Sequence, residues 1–230
     1  DILPNNVETV TRGLFSGNTG SLVSMFTSSL LTSTQKTYFQ EIFSTADPND
    51  NANANSELSI AYGDYNGSGS ADTTGNLNND TPSRAIYRQY AQLLLPPNDK
   101  KFTINNVDTE QIYVLNFNRA RVREKLDPGN FELSLMELEN GVANQFHTGS
   151  HVKKKINHGD TCIQIIDDSS LTSGGGVNEG GLVYNLVSGS IDEGTSIHNP
   201  SSPVYYGLLY PQHGVAILNS DALIATGSGR

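Results

Sequence analysis

After residue 96 the apolar runs of this sequence are short, and each is bounded by residues that favour turns. Asn, Ser, Thr and Gly account for 88 of the 230 residues, and these residue types satisfy or permit turn backbone conformations. Short apolar runs between turn segments are typical of antiparallel strands joined by loops. The sequence predicts strands at 58–62, 102–104, 112–117, 131–136, 161–166, 182–187, 204–210 and 215–218.

One segment before residue 96 has a clear helical pattern. Thr81 can cap a helix, and Pro82 fits the first helical position. Apolar residues then recur at helical spacing until Pro96 and Pro97, which cannot continue a helix. The sequence therefore predicts a helix over 82–94.

The first forty residues also carry helical stripes of apolar residues, at 22–30 and at 38–43. A Ser/Thr cluster at 27–34 predicts two short helices rather than one, and 44–55 and 63–80 are predicted to be long loops. We expect an α+β fold, with short N-terminal helices followed by a mostly antiparallel β region with long loops. Residues 1–230 are expected to form a single composite domain, with a helical front (1–95) and a β-rich back (96–230).

Charge is unevenly distributed along the chain. The formal net charge is −10, with −7 on residues 1–83, +4 on 84–125 and −7 on 126–230. The overall charge argues against nucleic acid as a partner, because such binding depends on neutralising phosphates. No apolar run approaches the length of a membrane span, so we expect no membrane partner. A basic middle suits contact with acidic neighbours or with copies of the same chain, and internal charge pairing is the alternative.

A basic stripe stands out within that middle segment. Alternate positions of an extended strand lie on one face, so four cations at two-residue spacing would form a stripe roughly 20 Å long at about 3.3 Å per residue. We expect an interface with carboxylates, because arginine binds them through two parallel hydrogen bonds. Contact with nucleic acid, or salt bridges to Glu124 or Asp127 of the same chain, are the alternatives. The stripe consists of Arg119, Arg121, Arg123 and Lys125.

Motifs of catalysis are absent from the sequence. It contains no Gly-x-Ser-x-Gly elbow after a strand and no phosphate-binding loop ending in Lys, and its five histidines show no paired ligand spacing. Asp167 and Asp168 are adjacent, so in a strand they would point to opposite faces, and a solvated strand end is expected there. We therefore predict a protein without enzymatic activity and without a cofactor.

The best metal candidate lies in the loop that follows the predicted strand at 58–62. Asp64, Asn66 and Ser68 place oxygen ligands at alternate positions, and Gly69 stands sixth, as at the start of a calcium loop. The twelfth position is Gly75 where such loops carry Glu. A Gly-rich turn is the main interpretation, and a calcium site is the alternative.

Several segments of the chain resemble a virion structural protein of contractile-tailed marine phages, of the kind found in cyanophages. Together with shorter matches at 35–38 and 67–70, they cover about half of the chain, discontinuously. The segments are TPSRAIYRQY (81–90), YVLNFNRAR (113–121), EKLDPGN (124–130), YGLLYP (206–211) and GVAILN (214–219).

The resemblance implies a building block of the phage tail or baseplate that is located in the virion and acts through protein–protein contacts. Its implied partners are other virion proteins, in a homo- or hetero-oligomer. It also implies that the sequence is an N-terminal portion of a longer chain, and it transfers no catalytic residues. A decoration or connector protein of the head or neck, and a surface β-domain that binds calcium or a glycan, remain the alternatives.

Overall fold

The computed structural model describes residues 39–43, 56–68, 81–122, 124–136, 162–171, 176–178 and 181–226. Twelve strands and three helices lie within these ranges. In chain order they are β1 (Phe39–Phe43), β2 (Ser56–Asp64), α1 (Pro82–Leu94), β3 (Phe102–Ile104), β4 (Val107–Thr109), β5 (Gln111–Phe117), α2 (Arg119–Val122), β6 (Glu132–Met136), β7 (Cys162–Asp167), β8 (Gly176–Asn178), β9 (Gly181–Asp192), β10 (Thr195–His198), β11 (Tyr205–Tyr210), β12 (Val215–Asn219) and α3 (Ser220–Thr226).

Ten of the described strands form a single sheet. Its main path runs β1-β2-β5-β12-β11-β9-β7-β6, and β8 and β10 both pair with the long strand β9. Strands β3 and β4 form a separate hairpin. All the pairings are antiparallel, which confirms the mostly antiparallel β region that the sequence predicts.

The helix predicted at 38–43 is wrong. Phe39–Phe43 forms strand β1, which pairs with Ser56–Ala61 of β2. The apolar spacing at 38–43 fits a helix, but pairing with β2 supplies the backbone hydrogen bonds, and such tertiary pairing overrides a local pattern. The rest of the predicted N-terminal helices, and the predicted loop 44–55, lie outside the described residues.

Helix α1 has the bounds predicted from the sequence, Pro82–Leu94. Pro82 occupies the first turn and the Ala85 N–H donates to Thr81 O at 3.0 Å. The Thr81 side chain makes no cap hydrogen bond, so that part of the prediction is wrong. Its hydroxyl instead donates to Gly67 O at 2.6 Å, which ties the helix start to the loop after β2.

The central strands bury apolar side chains on both faces. Along β5, Ile112 and Val114 belong to one hydrophobic cluster, and Leu115 and Phe117 belong to a second. Strand β12 alternates between the same two clusters. The first cluster contains residues of α1 and the β3–β4 hairpin, and the second contains residues of β6 and β7. Because side chains alternate along a strand, these near-continuous apolar runs place the sheet between two cores.

Tyr87 joins α1 to the β3–β4 hairpin. Its side chain is fully buried, its hydroxyl donates to Thr109 O at 2.5 Å, and it accepts the N–H of Phe102 at 3.0 Å. Burial raises the pKa of Tyr87 to about 12, so the phenol remains a donor at neutral pH. The hairpin turn places Asn105 and Asn106 at φ 50° and 61°, as a two-residue turn that matches strand twist requires.

We predict that Gly207→Ala destabilises the fold by about 2 kcal/mol, as overpacking of a close-packed interior does. A Cβ at Gly207 would collide with the backbone of Ile217 in the paired strand β12. Gly176→Ala is the matched control, because a Cβ there meets no atom within 4 Å. Urea denaturation of both variants tests this, and a Gly207→Ala protein as stable as the wild type would contradict the β11–β12 pairing.

Candidate functional site

Among the described residues three carboxylates are buried, namely Asp64, Asp167 and Asp168, which are 2%, 1% and 5% exposed. Each lies where a strand ends and a loop begins: Asp64 is the last residue of β2, and Asp167 and Asp168 end and follow β7. Buried carboxylates are unusual unless they are paired or hydrogen-bonded. Buried acidic side chains are therefore candidate functional groups.

The Asp64 carboxylate holds the loop that follows β2. Its Oδ1 accepts the backbone N–H of Asn66 at 2.8 Å and of Ser68 at 3.0 Å. Its Oδ2 lies 3.4 Å from the hydroxyl of Tyr62, which donates to it. Burial, and then the Asp64 charge, raises the pKa of Tyr62 well above its usual range. Tyr62 consequently acts as a donor to Asp64 and not as a base.

The same loop is fastened to the start of α1. Besides the Thr81 hydroxyl, the hydroxyl of Ser83 donates to Ser68 O at 2.8 Å, and Ser83 is fully buried. The residue before α1, Thr81, and the α1 residue Ser83 thus bind two carbonyl oxygens of the loop that Asp64 also holds. The arrangement fixes a loop of otherwise permissive composition.

The structure places the three calcium candidates in this loop, where Asp64 is buried and Asn66 and Ser68 are exposed. The Asn66 side chain donates to Glu110 Oε2 at 3.0 Å, and the Asp64 oxygens face N–H and O–H donors. In the ranges the structure describes, no three His, Cys, Asp or Glu side chains form a group that could hold a metal ion. A calcium role for Asp64, Asn66 and Ser68 stays the untested alternative to a Gly-rich turn.

Asp167 holds the predicted Asp-Pro-Gly-Asn turn at 127–130. Both of its carboxylate oxygens accept the Gly129 N–H, at 2.9 and 3.0 Å. Oδ1 also accepts the N–H of Ser169, and Oδ2 that of Phe131. Gly129 has φ +86°, the left-handed value that a type II turn takes at its third residue. Asp167 therefore anchors this turn to the end of β7.

Asp168 anchors the same strand end to β9. Its Oδ1 accepts the Asn185 N–H at 2.8 Å, and its Oδ2 accepts the Asn185 side-chain amide at 2.7 Å. Burial raises the pKa of the Asp168 carboxyl, and the hydrogen bonds from Asn185 act in the opposite direction. The expectation of a solvated strand end at 167–168 is thus wrong. Hydrogen bonds from amide groups offset the free-energy cost of burying both carboxylates.

The basic stripe does not have the predicted extended geometry. Residues Arg119–Val122 form one turn of helix, α2, which begins after Asn118, whose side-chain oxygen accepts the Ala120 N–H at 3.0 Å. A helical turn separates residues that a strand would align. Arg119 donates to Glu124 O and Lys125 is exposed, whereas Arg123 lies outside the described residues. The interface role of Arg119, Arg121, Arg123 and Lys125 stays a prediction.

A groove of about 760 Å³ runs along the last turns of α1. Its lining is mixed, with apolar surface from Leu93 and the two prolines and charge from Arg88, Asp99 and Lys100. Leu93 is 51% exposed, which is high for a large apolar side chain. Tyr65, from the Asp64 loop, forms part of the wall, and the Lys101 ammonium lies 4.6 Å from its ring centroid.

Sequence reasoning missed both the groove and the roles of Asp167 and Asp168. The two prolines predicted the end of α1 but gave no sign that Tyr65 would pack beside it. The partners of Asp167 and Asp168 lie 38 and 17 residues away in the chain. The available signal was an acidic pair directly after an apolar strand, since buried strand ends need acceptors for loop amides.

Comparison of the chain with protein-family models, with curated proteins and with solved structures returned no match. Of the helices in the described ranges, none has the length and apolar composition needed to cross a membrane.

We predict that Asp64→Ala lowers the free energy of unfolding by roughly 1–3 kcal/mol, because two loop N–H groups lose their acceptor. Asp99→Ala, which removes an exposed carboxylate, is the control and should change stability little. Urea denaturation in EDTA and in calcium measures both variants and the wild type. A calcium-dependent gain in wild-type stability that Asp64→Ala abolishes would contradict the anchoring role and favour the metal site.

Asp168 should make stability depend on pH in a defined direction. Its pKa in the folded state is raised above the ordinary value of 3.8, so the folded chain binds this proton more tightly than the unfolded chain. The stabilisation is fully present below the ordinary value and is lost as the pH rises through the raised pKa. We predict that wild type loses stability relative to Asp168→Asn across that interval, as measured by urea denaturation at a series of pH values. A difference that is independent of pH would contradict this.

Proposed function

We propose that this chain is a structural protein of a contractile-tailed phage virion, most simply a building block of the tail or baseplate. It acts through protein–protein contacts with other virion proteins and not by turning over a substrate. The proposal rests on the sequence resemblance and on the buried carboxylates, which hold loops in place.

The observation that carries the proposal is the engagement of the buried carboxylates. Asp64, Asp167 and Asp168 all accept backbone N–H groups of loops. Catalysis by paired carboxylates needs acidic groups that converge on a cleft where a substrate can reach them. Here the buried acids instead fix loop geometry at strand ends, which suits a protein whose surface must be held in a defined shape for docking.

The resembling segments coincide with the framework of the fold. The segment 81–90 lies in α1 and its cap, 113–121 spans most of β5 and part of α2, and 206–219 covers the β11–β12 hairpin. The segment 124–130 includes the turn that Asp167 holds. Residues of these segments contribute to both hydrophobic clusters, which supports a structural role for the segments.

The groove along α1 supplies a contact surface for such a role. It combines an exposed leucine and two prolines with cationic side chains, and interfaces typically combine an apolar centre with a polar rim. Apart from Tyr65, its lining comes from the basic middle segment of a chain whose two ends are acidic, and it carries Arg88 and Lys100 against Asp99. Acidic neighbours are therefore the favoured partners.

The direct experiment is to find the chain in purified particles. We expect quantitative mass spectrometry of virions to recover it in a fixed number of copies, and cryo-electron microscopy to place it in the tail or baseplate. Density in the head or neck would favour the decoration or connector alternative. Absence from intact particles would refute the proposal.

We predict that Arg121→Glu lowers the yield of complete particles, because it reverses one charge of the basic stripe. Arg121→Lys is the matched control, because it keeps the positive charge at the same position. Plaque titre and particle counts measure the effect, and thermal denaturation of the purified chain separates it from misfolding. Normal particle yield from a folded Arg121→Glu protein would count against the stripe.

A further inference from the structure

The loop that Asp64 holds contains an Asn-Gly pair, Asn66-Gly67, which is one of two such pairs in the chain. Asparagine belongs to the thermolabile residues of proteins. The amide carbon of its side chain, Cγ, can be attacked by the backbone nitrogen of the next residue. A glycine at that next position favours the attack, because it has no Cβ and lets the backbone approach closely. Asn66-Gly67 is therefore a pair at which the chain can modify itself.

The reaction is a loss of ammonia followed by the addition of water. A base removes the proton of the Gly67 nitrogen, and this nitrogen forms a bond to Asn66 Cγ. The bond between Cγ and Nδ2 then breaks, and the amide nitrogen takes up a proton and leaves as ammonia. Water opens the resulting cyclic imide at either carbonyl, which leaves aspartate or isoaspartate at position 66.

The fold holds the attacking nitrogen in a hydrogen bond. Gly67 is buried, and its N–H donates to Asp64 O at 3.1 Å. Its carbonyl accepts the Thr81 hydroxyl at 2.6 Å, so both of its backbone groups are bonded. The first step of the reaction removes an amide proton, as hydrogen exchange does, and bonded amides lose their protons to solvent only when the structure opens. The nucleophile is consequently protected in the closed loop.

The group under attack is held as well. Asn66 Nδ2 donates to Glu110 Oε2 at 3.0 Å, and the Lys101 ammonium donates to the other oxygen of this carboxylate at 2.8 Å. The backbone adds a further link, because the Tyr65 N–H donates to Glu110 O at 2.8 Å. The leaving nitrogen must gain a proton, and the carboxylate beside it is an acceptor that supplies none. The contact with Glu110 thus opposes both rotation and departure of the amide.

We propose that Asn66-Gly67 is a latent deamidation site, which the folded chain keeps unreactive through Asp64, Thr81 and Glu110 and which reacts when the loop opens. The structure supports this by the hydrogen bonds on both reacting groups. The inference goes beyond the virion proposal and does not rest on it.

The products would not fit the closed loop. Aspartate at position 66 places a carboxylate where the Asn66 amide now donates to Glu110, and two like charges at that separation repel each other. Isoaspartate lengthens the loop backbone and disturbs the hydrogen bonds that Asp64 accepts from Asn66 and Ser68. Either product releases the loop from Glu110, so a reversible opening becomes a permanent change.

The test measures conversion at Asn66 by peptide mapping with mass spectrometry, during incubation in mildly alkaline buffer. The full chain is compared with a synthetic peptide of residues 62–70, which has the same sequence and no fold. We expect conversion in the folded chain to be at least about tenfold slower than in the peptide, because the loop must first open. The chain unfolded in urea should convert at the rate of the peptide.

Two variants remove one restraint each. Thr81→Val removes the hydrogen bond to Gly67 O and should speed conversion about threefold or more, whereas Thr81→Ser keeps the hydroxyl and should not. Glu110→Ala frees the Asn66 amide and should act in the same direction. Lys101→Ala is its matched control, because it removes the other partner of Glu110 and leaves the bond to Asn66. Thermal denaturation establishes that each variant is folded.

Three results would overturn the inference. The first is conversion in the folded wild type at the rate of the peptide. The second is a folded Thr81→Val or Glu110→Ala protein that reacts as slowly as its control. The third is an Asn66→Asp protein as stable to urea as the wild type, which would contradict the release of the loop. None of these rates bears on particle incorporation, so failure here leaves the virion proposal standing.

Discussion

Burial of both faces of the central strands is the constraint on which the rest of the structure depends. Strands β5 and β12 send alternate side chains into two hydrophobic clusters, one shared with α1 and the β3–β4 hairpin and the other with β6 and β7. A sheet buried in this way leaves little room at its strand ends for unsatisfied polar groups, because each unpaired buried amide costs free energy. On one face of the sheet, the Tyr87 hydroxyl forms hydrogen bonds with the backbone of Thr109 and Phe102, so neither group is left unpaired.

Where strands end and loops begin, the buried carboxylates accept hydrogen bonds from amides that would otherwise be unpaired. Asp64 holds the loop that leads towards α1, Asp167 holds the turn at 127–130, and Asp168 holds the end of β7 against β9. Charge-assisted hydrogen bonds to backbone N–H groups are stronger than neutral ones, so a few acids can fix loops of Asn, Ser and Gly that have little apolar surface. The result is a framework of anchored loops and strand ends beside the groove along α1.

Local signals were enough to predict some elements from the sequence and misleading for others. Helix α1 was predictable because Pro82 and Pro96 mark its limits and its apolar spacing is regular. Strand β1 was not, because pairing with β2 decides its conformation. The extended geometry predicted for the basic stripe is wrong, because Asn118 is a good helix cap and its side chain starts α2. The anchoring roles of Asp167 and Asp168 depend on Gly129 and Asn185, which are distant in the chain and close only after folding.

Amide hydrogen exchange tests the central claim most directly. If the buried carboxylates hold the framework, the loop amides of Asn66, Ser68 and Gly129 and the β9 amide of Asn185 should exchange as slowly as amides in the interior of β5 and β12. Protection of this kind reports the free energy needed to open each hydrogen bond. Exchange of these amides at the rates of exposed loops, with the central strands still protected, would show that the carboxylates do not anchor the loops and would contradict the account.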